Sequence, residues 1–273
     1  MVAYALRRQA MKTAVLFAAV ALAGTAMANV DVQAGDLARG HQYTLGEGSP
    51  FGARATPGAS YSNIDTYSGQ AYSNGGSTAG ITRMVCDDLT FALPYLAGQS
   101  FTSFTFSVSN LNTVAVSARP RVRFWLTDGA GGGPGTYYSA IGYTFNAISF
   151  GANSVGLFTG NIGPGFLQPA AGQTLWAGIT FDNNGGATGA TNDQLNLLGQ
   201  GIFSPPAVGS SADTFWSSTV GGSFFNVNNP AGSQSNFGGN PAANFGWEFN
   251  VPTPGSIALL GMGGLLAARR RRA

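Results

Sequence analysis

Residues 101–126 read FTSFTFSVSNLNTVAVSARPRVRFWL, and this stretch decides the fold. Phe104, Phe106 and Val108 alternate with polar residues. Val114 and Val116 do the same, as do Val122, Phe124 and Leu126, with Arg119, Arg121 and Arg123 on the opposite face. Successive side chains on a strand point to opposite sides, so a period of two with one apolar face indicates a half-buried antiparallel strand. Two such strands are predicted, over 101–108 and 114–126. The run Asp128-Gly129-Ala130-Gly131-Gly132-Gly133-Pro134-Gly135 turns the chain after them.

The same pattern spreads outward. Residues 81–93 (ITRMVCDDLTFAL) carry apolar side chains at Ile81, Met84, Cys86, Leu89, Phe91 and Leu93. Further strands are predicted over 137–149, 174–182 (TLWAGITFD), 195–203, 214–217 and 245–251 (FGWEFNV), with turn residues between almost all of them. Tyr61, Ile64 and Tyr67 lead into a loop at Asn74-Gly75-Gly76. No segment carries an amphipathic helix period. Trp125, Trp176, Trp216 and Trp247 each fall in a predicted strand, which suits the interior of a sandwich. The expectation is an all-β fold: one antiparallel β-sandwich of jelly-roll type over residues 60–250. Residues 29–59, rich in Gly, Ala and Ser, show no sustained period and read as a flexible leader holding His41, the only histidine.

Charge and cysteine content narrow the functions open to such a domain. The chain has 13 basic and 11 acidic residues. Arg7, Arg8, Lys12 and Arg269 to Arg272 belong to the two ends, and setting these seven aside leaves six basic residues against all 11 acidic ones, a net charge of −5 without a single Lys. Such a domain repels phosphate backbones, so nucleic acid is not an expected partner. The lone Cys86 allows no intramolecular disulfide and reads as a small buried hydrophobe.

Both ends read as targeting segments. Arg7, Arg8 and Lys12 precede an apolar run over 14–23, and Ala26-Met27-Ala28 fits the small-x-small cleavage rule. Residues 1–28 are therefore a predicted signal helix with the mature start at Asn29, and Met11 is an alternative initiator. At the other end, Val251-Pro252-Thr253-Pro254 is followed by GSIALLGMGGLLAA and then Arg269, Arg270, Arg271 and Arg272. The prolines stop the preceding strand. The apolar stretch 257–268 is shorter than the roughly 20 residues of a comfortable span, and the arginines hold its end on the cytoplasmic side. This describes a short transmembrane helix suited to a transient anchor.

A proline motif, a short Gly/Leu/Ala-rich helix and a terminal arginine cluster together resemble the PEP-CTERM sorting signal, also labelled an ice-binding protein C-terminal domain. Thr253 stands where the family name has Glu. The resemblance covers 251–273 and implies handling by an exosortase-type membrane transpeptidase, with the membrane as a partner through the C-terminal helix before processing. It also implies association with exopolysaccharide or biofilm systems. The segments MVCDDLTF, FTSFTFSVSN and RVRFWLTDGAGGGPGT are similar to ectodomains of other PEP-CTERM proteins, which implies a galactose-binding-like sandwich and no particular activity.

Candidate chemistry is sparse. One His in a predicted leader leaves no Ser-His-Asp pairing to build on. Asp87 and Asp88, adjacent on a strand, are expected on opposite faces, one serving the arginine face and one at the strand edge. Asp182, Asn184 and Asp193 gather oxygen ligands in an Asx/Gly loop and are candidate calcium ligands, although such loops also suit turns. Trp216, Tyr137 and Tyr138, with Phe224, lie beside Gly/Ser/Asn loops and are candidates for a sugar platform, with core packing as the competing assignment. The expected function is a non-enzymatic protein, exported, membrane-anchored through its C-terminal helix and then placed at the cell surface or in the matrix. The alternatives are a carbohydrate-binding module and a hydrolase with two convergent carboxylates among Asp128, Asp182, Asp193, Asp213 and Glu248.

Overall fold

The computed structural model describes residues 30–49, 57–92, 100–138, 141–162, 166–169, 173–219 and 227–252. The signal positions Ala26, Ala28 and Asn29 lie outside them, as do Thr253, Pro254 and Arg269 to Arg272 of the tail.

Two sheets face each other. The first runs in the order β1 (Val30–Gly35), β8 (Ile141–Phe145), β7 (Val116–Leu126), β11 (Thr174–Asp182), β5 (Val85–Thr90), β13 (Phe215–Ser218) and β14 (Gly232–Ser235), with β9 (Ile148–Phe150) beside β7. The second runs β2 (Ala38–Thr44), β10 (Ser154–Asn161), β6 (Ser103–Asn110), β12 (Leu198–Phe203) and β4 (Tyr67–Ser73). In it β15 (Trp247–Asn250) pairs with both β3 (Ala59–Ser62) and β6. All pairings are antiparallel except β1 with β8. The all-β sandwich expected from the alternation is present.

The alternation positions the core as predicted. Phe104, Phe106 and Val108 of β6 meet Val122 and Phe124 of β7 and Leu175, Ala177 and Ile179 of β11 between the sheets. Phe249, Phe166 and Trp247 join them, with the Phe124 and Phe166 ring centroids 4.6 Å apart. Burying side chains of this size is worth roughly 1.5–3 kcal/mol each before entropy is counted. The arginines of β7 project from the opposite face.

Three expectations are corrected. Residues 29–59 are not simply a leader: β1 and β2 lie within them and supply one edge strand to each sheet. Side chains on β2 are exposed apart from Tyr43. The strand is held by its backbone pairing with β10, which no hydrophobic period announces. Secondly, only Trp247 lies between the sheets. Trp125, Trp176 and Trp216 form a separate cluster with Met84, Cys86 and Tyr137. Their sequence neighbours Phe124, Leu175 and Phe215 belong to the inner core, so this cluster covers the outer face of the first sheet. Thirdly, Asn192–Asn196 forms a short helix, α1, inside a predicted loop-and-strand region. Thr191 accepts from the Gln194 N–H while the Gln194 side chain accepts from the Thr191 N–H, a reciprocal cap that starts the helix.

Candidate functional site

The densest polar constellation centres on Ser211. β5 pairs with β13 through Asp87 and Phe215, and an isolated bridge joins Thr90 to Ser210. Between these pairs, Asp88 and Leu89 on β5 face four residues, 211–214, on the returning chain. The surplus opens a bulge at the sheet rim, and bulges re-aim side chains. Both neighbouring carboxyls reach it. The Ser211 hydroxyl lies 3.0 Å from Asp87 Oδ1, 3.1 Å from Asp88 Oδ1 and 3.0 Å from Asn244 Oδ1. The expected separation of Asp87 from Asp88 onto opposite faces is therefore corrected: their strand faces differ, but at the rim both curl over onto one hydroxyl.

A serine hydroxyl donates one proton, so three side-chain acceptors compete for it. Asp87 Oδ2 also accepts the Phe245 N–H at 2.7 Å, and Asp88 Oδ1 accepts the Ala212 N–H at 3.1 Å. Asp87 is fully buried. Burial, then the charge of Asp88, pushes its carboxyl well above the usual carboxylate range, against the opposing pull of the Phe245 N–H and Ser211. Burial pushes Asp88 up to about 6. The Tyr61 phenol, buried beside them, is likewise pushed up by burial and then by the charge of Asp87. Chemically, this group can retain a proton that exposed aspartates would release. His41, the only imidazole, sits on β2 of the other sheet with its ring centroid 4.5 Å from that of Tyr43.

The arginine face finds its partner elsewhere. Arg119 donates from Nε to Asp182 Oδ1 at 2.9 Å and from Nη2 to Oδ2 at 3.1 Å, and Arg121 Nη1 adds a contact of 3.2 Å. Asp182 is thus the counterion of two cations, and its Oδ1 also accepts the Asn184 N–H at 2.9 Å. Asp193 lies in the first turn of α1. Of the three candidate calcium ligands, Asp182 is thus already engaged by two guanidinium groups. Among the described residues no group of three or more His, Cys, Asp or Glu side chains is placed to hold a metal ion.

The sugar-platform candidates are likewise relocated. Trp216 and Tyr137 are 3% and 8% exposed, within the outer cluster. Two loops roof them. Trp125 Nε1 donates to Val227 O at 2.9 Å, Trp176 Nε1 to Gly132 O at 3.0 Å, and Gln234 Nε2 to Gly131 O at 3.2 Å. Gly232 lies directly on the Trp216 ring, where any side chain would collide. Tyr138 is half-buried and donates its hydroxyl to Leu167 O at 2.9 Å. Phe224 lies outside the described residues. These aromatics are a packed third layer and not an open platform. Cys86 in the same cluster is a buried free thiol, pushed up by burial and then by Asp87.

The remaining carboxylates sit in separate local networks: Asp128 with Thr136, Asp213 with the N–H groups of Phe237 and Ala243, and Glu248 with Ser62 and Asn250. No protein-family model, no curated protein and no solved structure matches the chain.

Proposed function

We propose that the chain is a non-enzymatic structural protein, exported and then sorted by an exosortase-type transpeptidase to the cell surface or an exopolysaccharide matrix. The observation that carries this reading is where the domain ends. β15 is the last strand among the described residues, pairing β3 and β6, and Val251 after it is buried with its N–H donating to Gly58 O at 2.9 Å. Pro252, which has no N–H for a further ladder bond, follows at once, so the prolines come directly after the last described strand. Cleavage within residues 252–254 would remove the apolar stretch and the arginines without taking any of the described strands from the sandwich.

A jelly-roll or galactose-binding-like scaffold belongs to the same reading and is supported by two mostly antiparallel sheets closed over an aromatic core. The non-enzymatic part is supported by the separate engagement of Asp128, Asp182, Asp213 and Glu248 and by the position of His41 on β2 of the second sheet, while Ser211 lies beside β5 of the first. No resident cofactor is part of the proposal. The expected partners are the transpeptidase, the membrane before processing, and an extracellular polysaccharide.

The test is the intact mass of the protein recovered from its native host. A species starting near Asn29 and ending near Pro254 is expected. A species still ending at Ala273, or an unchanged mass and location after deletion of Arg269 to Arg272, refutes the sorting.

A further inference from the structure

The second sheet has a recess at its β2 edge that nothing above uses. β2 pairs with β10 through Gln42 opposite Gly156 and Arg39 opposite Phe158. Gly40 and His41 thus share the single residue Leu157, a bulge that aims the β2 side chains outward from the ladder. The recess beside it holds about 40 Å³. Phe150 and Phe158 contribute apolar surface to its lining, and Arg39, His41, Gln42 and Ser154 its polar groups.

The donors left over in it include those of Arg39 and the second N–H of Gln42, while the Ser154 hydroxyl proton is spent on Gly151 O. Arg39 is the only exposed arginine among the described residues. Its guanidinium lies over the Phe158 ring at 6.0 Å and spends one N–H on Ser149 O at 2.7 Å. No carboxylate among the described residues pairs with it, whereas Arg119 and Arg121 share Asp182. A guanidinium has five N–H donors in a planar fork that matches an oxyanion. Gln42 Nε2 donates to Ser154 Oγ at 2.9 Å, and Ser154 in turn donates to Gly151 O at 2.9 Å, which fixes the amide at the rim. The donor set therefore favours a carboxylate over a neutral hydroxyl.

Size decides what kind of molecule carries that carboxylate. Pockets that enclose whole small ligands run to roughly 300–1,000 Å³. A recess of about 40 Å³ admits only a protruding group. β2 is the edge of its sheet, so an extended chain can run past it without meeting another strand. We propose that the Arg39–Gln42–Ser154 recess binds a carboxylate of an acidic polysaccharide, a polyuronate, one sugar residue at a time. The choice of a polysaccharide rests on the matrix reading above. The net charge of −5 opposes a polyuronate as a whole just as it opposes a phosphate backbone, so the contact is confined to one carboxylate at a time against Arg39.

The experiment titrates oligogalacturonate into the protein recovered from its host by calorimetry, alongside its carboxyl-reduced neutral counterpart and polyglutamate. Saturable binding of oligogalacturonate is expected, with little from the neutral form. Arg39→Ala should weaken it about tenfold or more, as expected for loss of a charge-assisted pair. Gln42→Ala should weaken it less, and Arg39→Lys should restore part. Arg39 is exposed, so unchanged circular dichroism is expected for its variants. Absence of binding, or binding indifferent to Arg39→Ala, overturns the proposal. Equal, Arg39-dependent binding of polyglutamate overturns the saccharide class in favour of an acidic peptide. The mass measurement is independent of all of these, so failure here leaves the sorting reading separately decided.

Discussion

Asp87 and Asp88 converge on Ser211, and their burial gives a pH dependence of opposite sign to that of an ordinary salt-bridged aspartate. An unfolded Asp titrates at about 3.9, whereas Asp88 in the fold is pushed up to about 6 by burial and Asp87 higher still. The folded state therefore holds protons that the unfolded state has lost. Stability from these groups is fully present below about pH 4 and is lost as pH rises through about 6. The urea midpoint should fall between pH 4.5 and 7.5, and Asp88→Asn should shrink that fall. Midpoints that rise over this range, or a slope unchanged in the variant, would show that the pair is solvated.

Among the elements, the loops over the outer aromatic cluster have the tightest steric requirement. Gly232 opens β14 and rests against Trp216, and Gly133 of the other loop approaches the same ring. A methyl group at 232 cannot be placed without moving the loop or the indole. Gly232→Ala should cost about 1–3 kcal/mol, the usual range for overpacking, and should change tryptophan emission because Trp125, Trp176 and Trp216 share one cluster. An unchanged spectrum with unchanged stability would mean that the loop is not seated on the ring. β2 and β14 sit at sheet edges with exposed side chains. They depend on backbone pairing to one neighbour each, and α1 depends on the Thr191–Gln194 cap.

At the scale of the whole molecule, protection should follow position in the sheets. Hydrogen exchange followed by mass spectrometry should find β7, β11 and β6, central and buried, exchanging last, and β2 and β14 first. If β2 exchanged as slowly as β11, the edge would have to be covered by something outside the described residues.

The sequence by itself determined the inner core. Phe104, Phe106, Val122 and Phe124 had to share one face because a strand alternates strictly, and β11 falls on the predicted 174–182 for the same reason. The separation of Arg119, Arg121 and Arg123 from that core was legible too, whereas α1 was read as loop and strand because five residues are too few to show a helical period. Tertiary structure alone decided the rest. Alternation says which side chains share a face but not whether a loop covers that face, so a platform role for Trp216 stayed open beside the favoured core packing. An edge strand such as β2 is fixed by the free backbone edge of β10, which leaves no mark in its own composition. Ser211 meets Asp87 from 124 residues away in the chain, and the bulge that brings them together is a property of the register between two strands. Contacts of that kind are set by how the sheets close, which no local pattern encodes.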